Sequence, residues 1–249
     1  VVLVIIGLIV GGILVGKDLV HAAMVRSQIK QIESFNLAVS TFRSKYPGFP
    51  GDLKTDHAAA FGFTARSGIR GHGDGNGQVE DCNAGTAGLA TYGCEYTLFW
   101  SELSVAQLIE NNFSTATDAA MLISLPADAF RYFPRSKLSQ GDHIIVITDS
   151  SLAFHEWFSM KTISKYDPVG GSASTNTFVT PADAQTIDVK IDDGNPAAGS
   201  VHVYEANLIP GNFSTILLET PAACTNNGRY NVLVTDGMCQ LNFRMQVQN

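Results

Sequence analysis

Between Val1 and Gly16 the chain has no charge, no hydroxyl, no amide and no aromatic ring; only Val, Ile, Leu and Gly occur. Such a stretch has no polar face to turn toward water, which excludes an ordinary surface helix. No second apolar run of that length follows, which excludes a multi-pass membrane protein. Cysteine is sparse, with four in 249 residues and no C-x-x-C pair, so a zinc site finds little footing. There is no G-x-S-x-G elbow, no complete phosphate loop and no G-x-G-x-x-G fingerprint. With those absent, an enzyme is not the expectation. The six histidines, His21, His57, His72, His143, His155 and His202, show no metal spacing on an expected helix.

What is present is a greasy rod joined to an amphipathic stem. Nine of the first sixteen residues are β-branched, a poor choice for a helix in water. In lipid the backbone must satisfy its own hydrogen bonds, so a helix is expected there. Gly7, Gly11, Gly12 and Gly16 give two small-xxx-small spacings, suited to close helix approach. Beyond Lys17-Asp18 the apolar positions Val25, Ile29, Ile32, Phe35, Val39, Phe42 and Tyr46 follow steps of 4, 3, 3, 4, 3 and 4. That is one apolar stripe on a helix, which Pro47 stops. Rod and stem together predict one helix of about 46 residues, roughly 70 Å long. A cleaved signal peptide, a plain single-pass anchor and a buried core helix are the competing readings. No basic stretch precedes the rod, and the helical pattern runs through the candidate cleavage zone.

Charge is divided along the chain. Residues 1–54 carry six Lys/Arg and three Asp/Glu, and residues 55–249 carry ten and twenty. An acidic head argues against nucleic-acid binding by that head. Lys17, Arg26 and Lys30 suit a cytoplasmic leaflet or acidic neighbours. Four cysteines allow three connectivities; the simplest is Cys82–Cys94 and Cys224–Cys239 in an oxidising compartment. Loops of that length contribute on the order of 3 kcal/mol each.

With the rod and stem in view, the chain resembles the type IV pilin and pseudopilin superfamily. Val1-Val-Leu-Val-Ile-Ile-Gly-Leu-Ile-Val10 is similar to the interior of a prepilin N-terminal segment. In that family a basic leader is cut before Phe or Met, the new N-terminus is methylated and a Glu follows. Those positions are not in this sequence; by analogy roughly seven mature residues are expected ahead of Val1. Phe42-Arg-Ser-Lys-Tyr46-Pro-Gly-Phe-Pro50-Gly-Asp-Leu53 resembles the stem-end signature F-x-x-K-Y-x-x-x-P-G-D of a bacterial prepilin subgroup. Gly71-His-Gly-Asp-Gly-Asn-Gly77 and Lys190-Ile-Asp-Asp-Gly-Asn-Pro196 resemble further segments of it. The paired C-terminal cysteines fit the disulfide-closed end of many pilin heads.

The fold expected is α+β: a pilin fold with residues 1–50 as membrane or filament-core helix and stem. Residues 51–249 form a mostly antiparallel, disulfide-containing head with extra short helices. Residues 54–96 read as a long loop region. Helices are expected over 97–110, 150–161 and 180–191, and strands over 144–148, 201–205, 215–219, 230–235 and 240–247, with a turn at 235–239. Phe35, Phe42, Tyr46 and Phe49 read as stem-to-head packing rather than a chain of rings for electron transport.

Asp74, Asn76, Gln78 and Glu80 present oxygens at alternate positions, as a calcium loop does. Val79 where an EF-hand needs Gly, and no Glu at its twelfth position, exclude an EF-hand, leaving a looser calcium loop or a Gly/Asn turn. Asp192-Asp193-Gly194-Asn195 reads as a helix C-cap turn. Asn112-Phe-Ser and Asn212-Phe-Ser match a glycosylation acceptor pattern.

The functional expectation is a structural subunit that polymerises through its rod into a type IV pilus-like filament. Val1, Leu3, Ile5, Gly7, Leu8, Gly11, Gly12 and Leu14 would be the contact residues. Its partners would be copies of itself, the inner membrane before assembly, prepilin peptidase and the pilus assembly machinery. Its place would be the inner membrane and then the surface of a Gram-negative cell. A pseudopilin of a type II secretion system, or a membrane-tethered periplasmic binding module, are the alternatives.

Overall fold

The computed structural model describes residues 2–63, 73–79, 95–114, 126–139, 141–149, 155–162, 165–167, 171–173, 179–205, 224–236 and 239–246. Helix α1, Val2–Lys45, is a single helix of 44 residues, as the rod-and-stem pattern requires. Tyr46 N–H still bonds the Phe42 carbonyl, and Pro47 ends the helix. The head carries α2 (Thr55–Ala60), α3 (Glu95–Val105), a 3₁₀ turn (Pro126–Arg131) and α4 (Pro181–Ile191). Its strands are β1 (Asp142–Asp149), β2 (His155–Thr162), β3 (Lys165–Asp167), β4 (Gly171–Ala173), β5 (Val201–Glu205), β6 (Thr225–Asn226), β7 (Arg229–Tyr230) and β8 (Cys239–Arg244).

The main sheet has the order β1-β2-β8-β5, every pair antiparallel. Its register builds two apolar rows. Val146, Phe158, Phe243 and Val201 form one, and Ile144, Met160, Leu241 and Val203 the other. All eight are buried. The stem lies over this face: Phe35 meets Phe158 at 5.8 Å between ring centroids and Trp100 of α3 at 4.8 Å. Burying one such ring contributes on the order of 1.5–3 kcal/mol, so the stripe, not helix propensity, fixes the stem.

Polar contacts set the seat. Buried Gln28 accepts from the Ser136 hydroxyl and the Lys137 N–H, both at 2.8 Å, and from the Leu138 N–H at 3.2 Å. At the far end of the seat His21 Nε2 lies 2.6 Å from Asp183 Oδ1, in the first turn of α4. Thr180 caps that helix, accepting from the Asp183 N–H, with Pro181 in its first turn.

Four expectations need correction. The helix over 150–161 is wrong: His155–Thr162 is a central strand. Glu156 to Met160 are all buried, because Phe158 faces the stem while Trp157 packs on the His202 ring at 4.7 Å. A strand covered on both faces loses the alternation that identifies it. The 97–110 helix runs instead over Glu95–Val105, since Gln107 at φ 60° turns the chain out. The 230–235 strand shrinks to Arg229–Tyr230, and residues 232–233 lie in a turn. Among the described residues of the 54–96 loop lie α2 and the first two residues of α3. The 215–219 strand and the centre of the 235–239 turn lie outside the described residues.

Candidate functional site

Two features of the structure invite function: the bare rod and a carboxylate hub where the stem ends. In the hub, Gly51 has φ 86°, and a Cβ there would stand 2.5 Å from the Glu95 carbonyl oxygen. Only glycine lets the chain run this close to α3. Gly51 donates its N–H to Glu102 Oε2 at 2.7 Å. The next residue, Asp52, accepts from the loop opposite: Gly75 N–H at 2.7 Å and Asn76 N–H at 3.1 Å on Oδ1, Gly77 N–H at 2.8 Å on Oδ2. Asp74 donates its N–H to Glu95 Oε1 at 3.2 Å, and its own carboxylate accepts from the Asn76 N–H at 3.0 Å. At the loop's end Val79 donates to Glu156 Oε1 at 3.0 Å, and the Thr148 hydroxyl lies 2.6 Å from the Val79 carbonyl. Residues 73–79 are therefore fastened to the stem end on one side and to β1 and β2 on the other.

Oxygens of Asp52, Asp74 and Glu95 lie within 4.8 Å of one another. It is one of two such sets among the described residues, the other being Asp188, Asp192 and Asp193, and it could hold a divalent cation, since calcium collects carboxylate and carbonyl oxygens. Of the residues marked in the sequence, Asp74 joins this set. Asn76 turns its Oδ1 back onto the Gln78 N–H at 2.8 Å, Gln78 is half-buried, and Glu80 lies outside the described residues. Asp52 and Glu95 were missed, because they stand 22 and 21 residues from Asp74 in sequence (74 − 52 and 95 − 74). The Pro50-Gly51-Asp52 turn was the available signal for one of them. As described, the hub works as a clasp in which backbone N–H groups hold buried carboxylates.

Burial shapes its electrostatics. Desolvation pushes Asp52 up to about 6 against its three backbone hydrogen bonds. Desolvation, with a smaller contribution from the Asp52 charge, pushes Glu102 up to about 8. Desolvation, helped by Arg135, pulls His143 down to about 4. The signs follow from linkage. Raised carboxylates add stability that is full below their unfolded values and lost as pH rises to about 6 for Asp52 and about 8 for Glu102. His143 adds stability that is full above about 6.5 and lost as pH falls toward about 4. Between pH 6.5 and 8 Glu102 therefore governs among these three. The melting temperature should fall over that window as pH rises, and Glu102→Gln should flatten the slope while keeping an acceptor for Gly51. A wild-type melting temperature that stays level or rises from pH 6.5 to 8 would refute this.

The second acidic group is a cap. Asp192 closes α4 and accepts from the Ser200 N–H; Asp188 accepts from the Tyr230 hydroxyl at 2.7 Å and the Gly194 N–H at 3.3 Å. Cys224 and Cys239 are bridged, closing the loop that carries β6 and β7. Cys82 and Cys94 lie outside the described residues.

The rod shows the reverse of the hub. Val2, Leu3, Ile5, Leu8 and Leu14 are exposed, and a Cβ at Gly7, Gly11, Gly12 or Gly16 would meet nothing within 4 Å. Val1 is outside the described residues. Helix α1 is long and apolar enough to cross a membrane, and none of its most apolar eighteen-residue stretch is buried. Comparison with protein-family models, with characterised proteins and with solved structures gives no match.

Proposed function

We propose that this chain is a pilin-type structural subunit, parked in a membrane by its rod and polymerising through that rod into a filament. One observation carries the reading: a single 44-residue helix is seated on the head over its C-terminal half and bare over its apolar N-terminal half. A bare apolar rod needs lipid or other rods around it. The rigid join to the head means that any bundle of rods also arrays the heads. Glycines along the rod allow the close approach such a bundle needs. The disulfide-closed loop suits an oxidising space outside the cytoplasm.

The test is the assembly state of the full chain, read by electron microscopy and by sedimentation after detergent removal. Filaments or large oligomers are expected, and Leu8→Asp should abolish them, since one buried carboxylate per copy would go unpaired in the bundle. The head's disulfide and fold should survive that change, because Leu8 is exposed on the rod, well before the first buried stem residue, Val25. A chain that stays single without detergent, or a Leu8→Asp variant that assembles like wild type, rejects the proposal. Short rods confined to the periplasm would instead favour a secretion-system pseudopilin.

A further inference from the structure

The chain contains two Asn–Gly steps, Asn76-Gly77 and Asn227-Gly228, and the structure treats them in opposite ways. An Asn side chain is open to attack by the backbone nitrogen that follows it, and a following glycine has no side chain to obstruct that attack. All four residues are exposed to solvent, so exposure does not separate the two steps; hydrogen bonding does. At the hub the groups that would react are engaged. Gly77, whose nitrogen would attack, donates its N–H to Asp52 Oδ2 at 2.8 Å. Asn76 accepts from the Gln78 N–H through Oδ1 at 2.8 Å, and its Nδ2 lies 3.4 Å from Asp74 Oδ2. Its own N–H donates to Asp52 Oδ1 at 3.1 Å. Bringing the Gly77 nitrogen onto the Asn76 side chain breaks the charge-assisted bond to Asp52 first.

Asn227-Gly228 forms the turn between β6 and β7. Its φ values are 50° and 71°, both positive as a two-residue I′ turn requires, which is why this residue pair stands there. Among the described residues no hydrogen bond holds the Asn227 side chain or the Gly228 N–H. A Cβ on Gly228 would meet nothing within 4 Å. The ladder behind the turn is only Thr225 with Tyr230 and Asn226 with Arg229, so the turn opens at little cost.

We propose that Asn227 is a site of spontaneous deamidation, and that Asp52 spares Asn76 the same fate. The Gly228 nitrogen attacks Asn227 Cγ, forming an N–Cγ bond. The Cγ–Nδ2 bond breaks, and Nδ2 leaves as ammonia with the proton that Gly228 gives up. Water then opens the cyclic imide at either carbonyl, giving aspartate or isoaspartate. Either product sets a new carboxylate beside the exposed Arg229. Isoaspartate also lengthens the turn by one backbone carbon. Just beyond it, the Tyr230 hydroxyl donates to Asp188 at 2.7 Å and the Asn231 N–H bonds the Cys224 carbonyl at 2.9 Å. A lengthened turn therefore pulls on the link between the disulfide-closed loop and α4. The inference is independent of the assembly reading.

The test incubates the full, oxidised chain in detergent at neutral and mildly alkaline pH. Peptide mass spectrometry that separates Asn, Asp and isoaspartate follows both steps. Asn227 should convert at least about tenfold faster than Asn76, the ratio that about 1.4 kcal/mol of extra opening free energy produces. In the reduced chain unfolded by denaturant the two should convert at similar rates. Asp52→Asn should speed conversion of Asn76 and leave Asn227 unchanged. Amide hydrogen exchange on wild type gives a second reading that does not depend on that variant folding: Gly77 should exchange slowly and Gly228 fast. Asn227 that stays intact over a period that converts the unfolded chain overturns the proposal. So do folded-state rates that are equal or in the reverse order, and a Gly228 amide that exchanges as slowly as Gly77. The same rate ratio in the unfolded chain would trace the difference to local sequence and overturn the role of the fold. A folded Asp52→Asn chain whose Asn76 stays as slow as in wild type overturns the role given to Asp52.

Discussion

Replacing Phe42 by alanine should cost about 3–5 kcal/mol of head stability, the range for emptying a large aromatic site in a core that cannot collapse. Phe42 is fully buried, with ring centroids 4.4 Å from Tyr46 and 5.7 Å from Phe63. These rings join the end of the stem to the segment after α2, and Tyr46 also meets Phe61 edge-on at 4.9 Å. The helix ends at Lys45, just beyond Phe42, and Pro47 fixes the turn that follows. The loss should appear in denaturant unfolding as a lower midpoint with the slope unchanged. Leu37→Ala on the outer face is the control; it should stay within about 0.5 kcal/mol of wild type in the unassembled chain. Equal effects for the two would mean that the stem is not seated as described.

Gly51→Val should be nearly as severe. Its φ of 86° already strains any L-residue by about 1–2 kcal/mol. The added carbon would press on the Glu95 carbonyl at 2.5 Å and the Phe99 nitrogen at 2.9 Å, both backbone atoms inside α3 that cannot swing aside. Relief requires moving residue 51 away from α3, which pulls its N–H off Glu102 and Asp52 off the three N–H groups of the 75–77 loop. A loss of about 3 kcal/mol or more is expected, combining strain with unsatisfied buried carboxylates. Gly77→Ala separates the two causes. Gly77 has φ 90° but open space around it, so that change should cost only the backbone strain. If Gly51→Val and Gly77→Ala cost the same, close packing against α3 is not the reason for glycine at 51.

The stem was legible because one helix with one buried stripe writes its period into the sequence, and Val25, Ile32, Phe35, Val39 and Phe42 are all buried where the steps place them. Helix α4 was legible for a local reason: Thr180 caps it, Pro181 opens it and Gly194 follows it. The Cys224–Cys239 bridge belongs to the simplest of the three connectivities open to four cysteines, and it is present. Strand β2 was not legible, because covering Trp157 and Phe158 on opposite faces erases alternation. The hub was half legible. Asp74 stood out in a Gly-rich run, but Asp52 and Glu95 reach it only once the stem end and α3 are brought together, and no local pattern encodes that meeting. The partners of the rod are not written in a single chain at all.

The seat of α1 has a mechanical consequence. From His21 near one end to Phe42 near the other, the helix is held along its length by Asp183, by Gln28 in the 136–138 segment and by a row of rings. Tension drawn along the rod loads all of these anchors at once, in shear, rather than peeling them one after another. A tug that starts at the bare end is therefore shared across the whole seam before any single anchor yields.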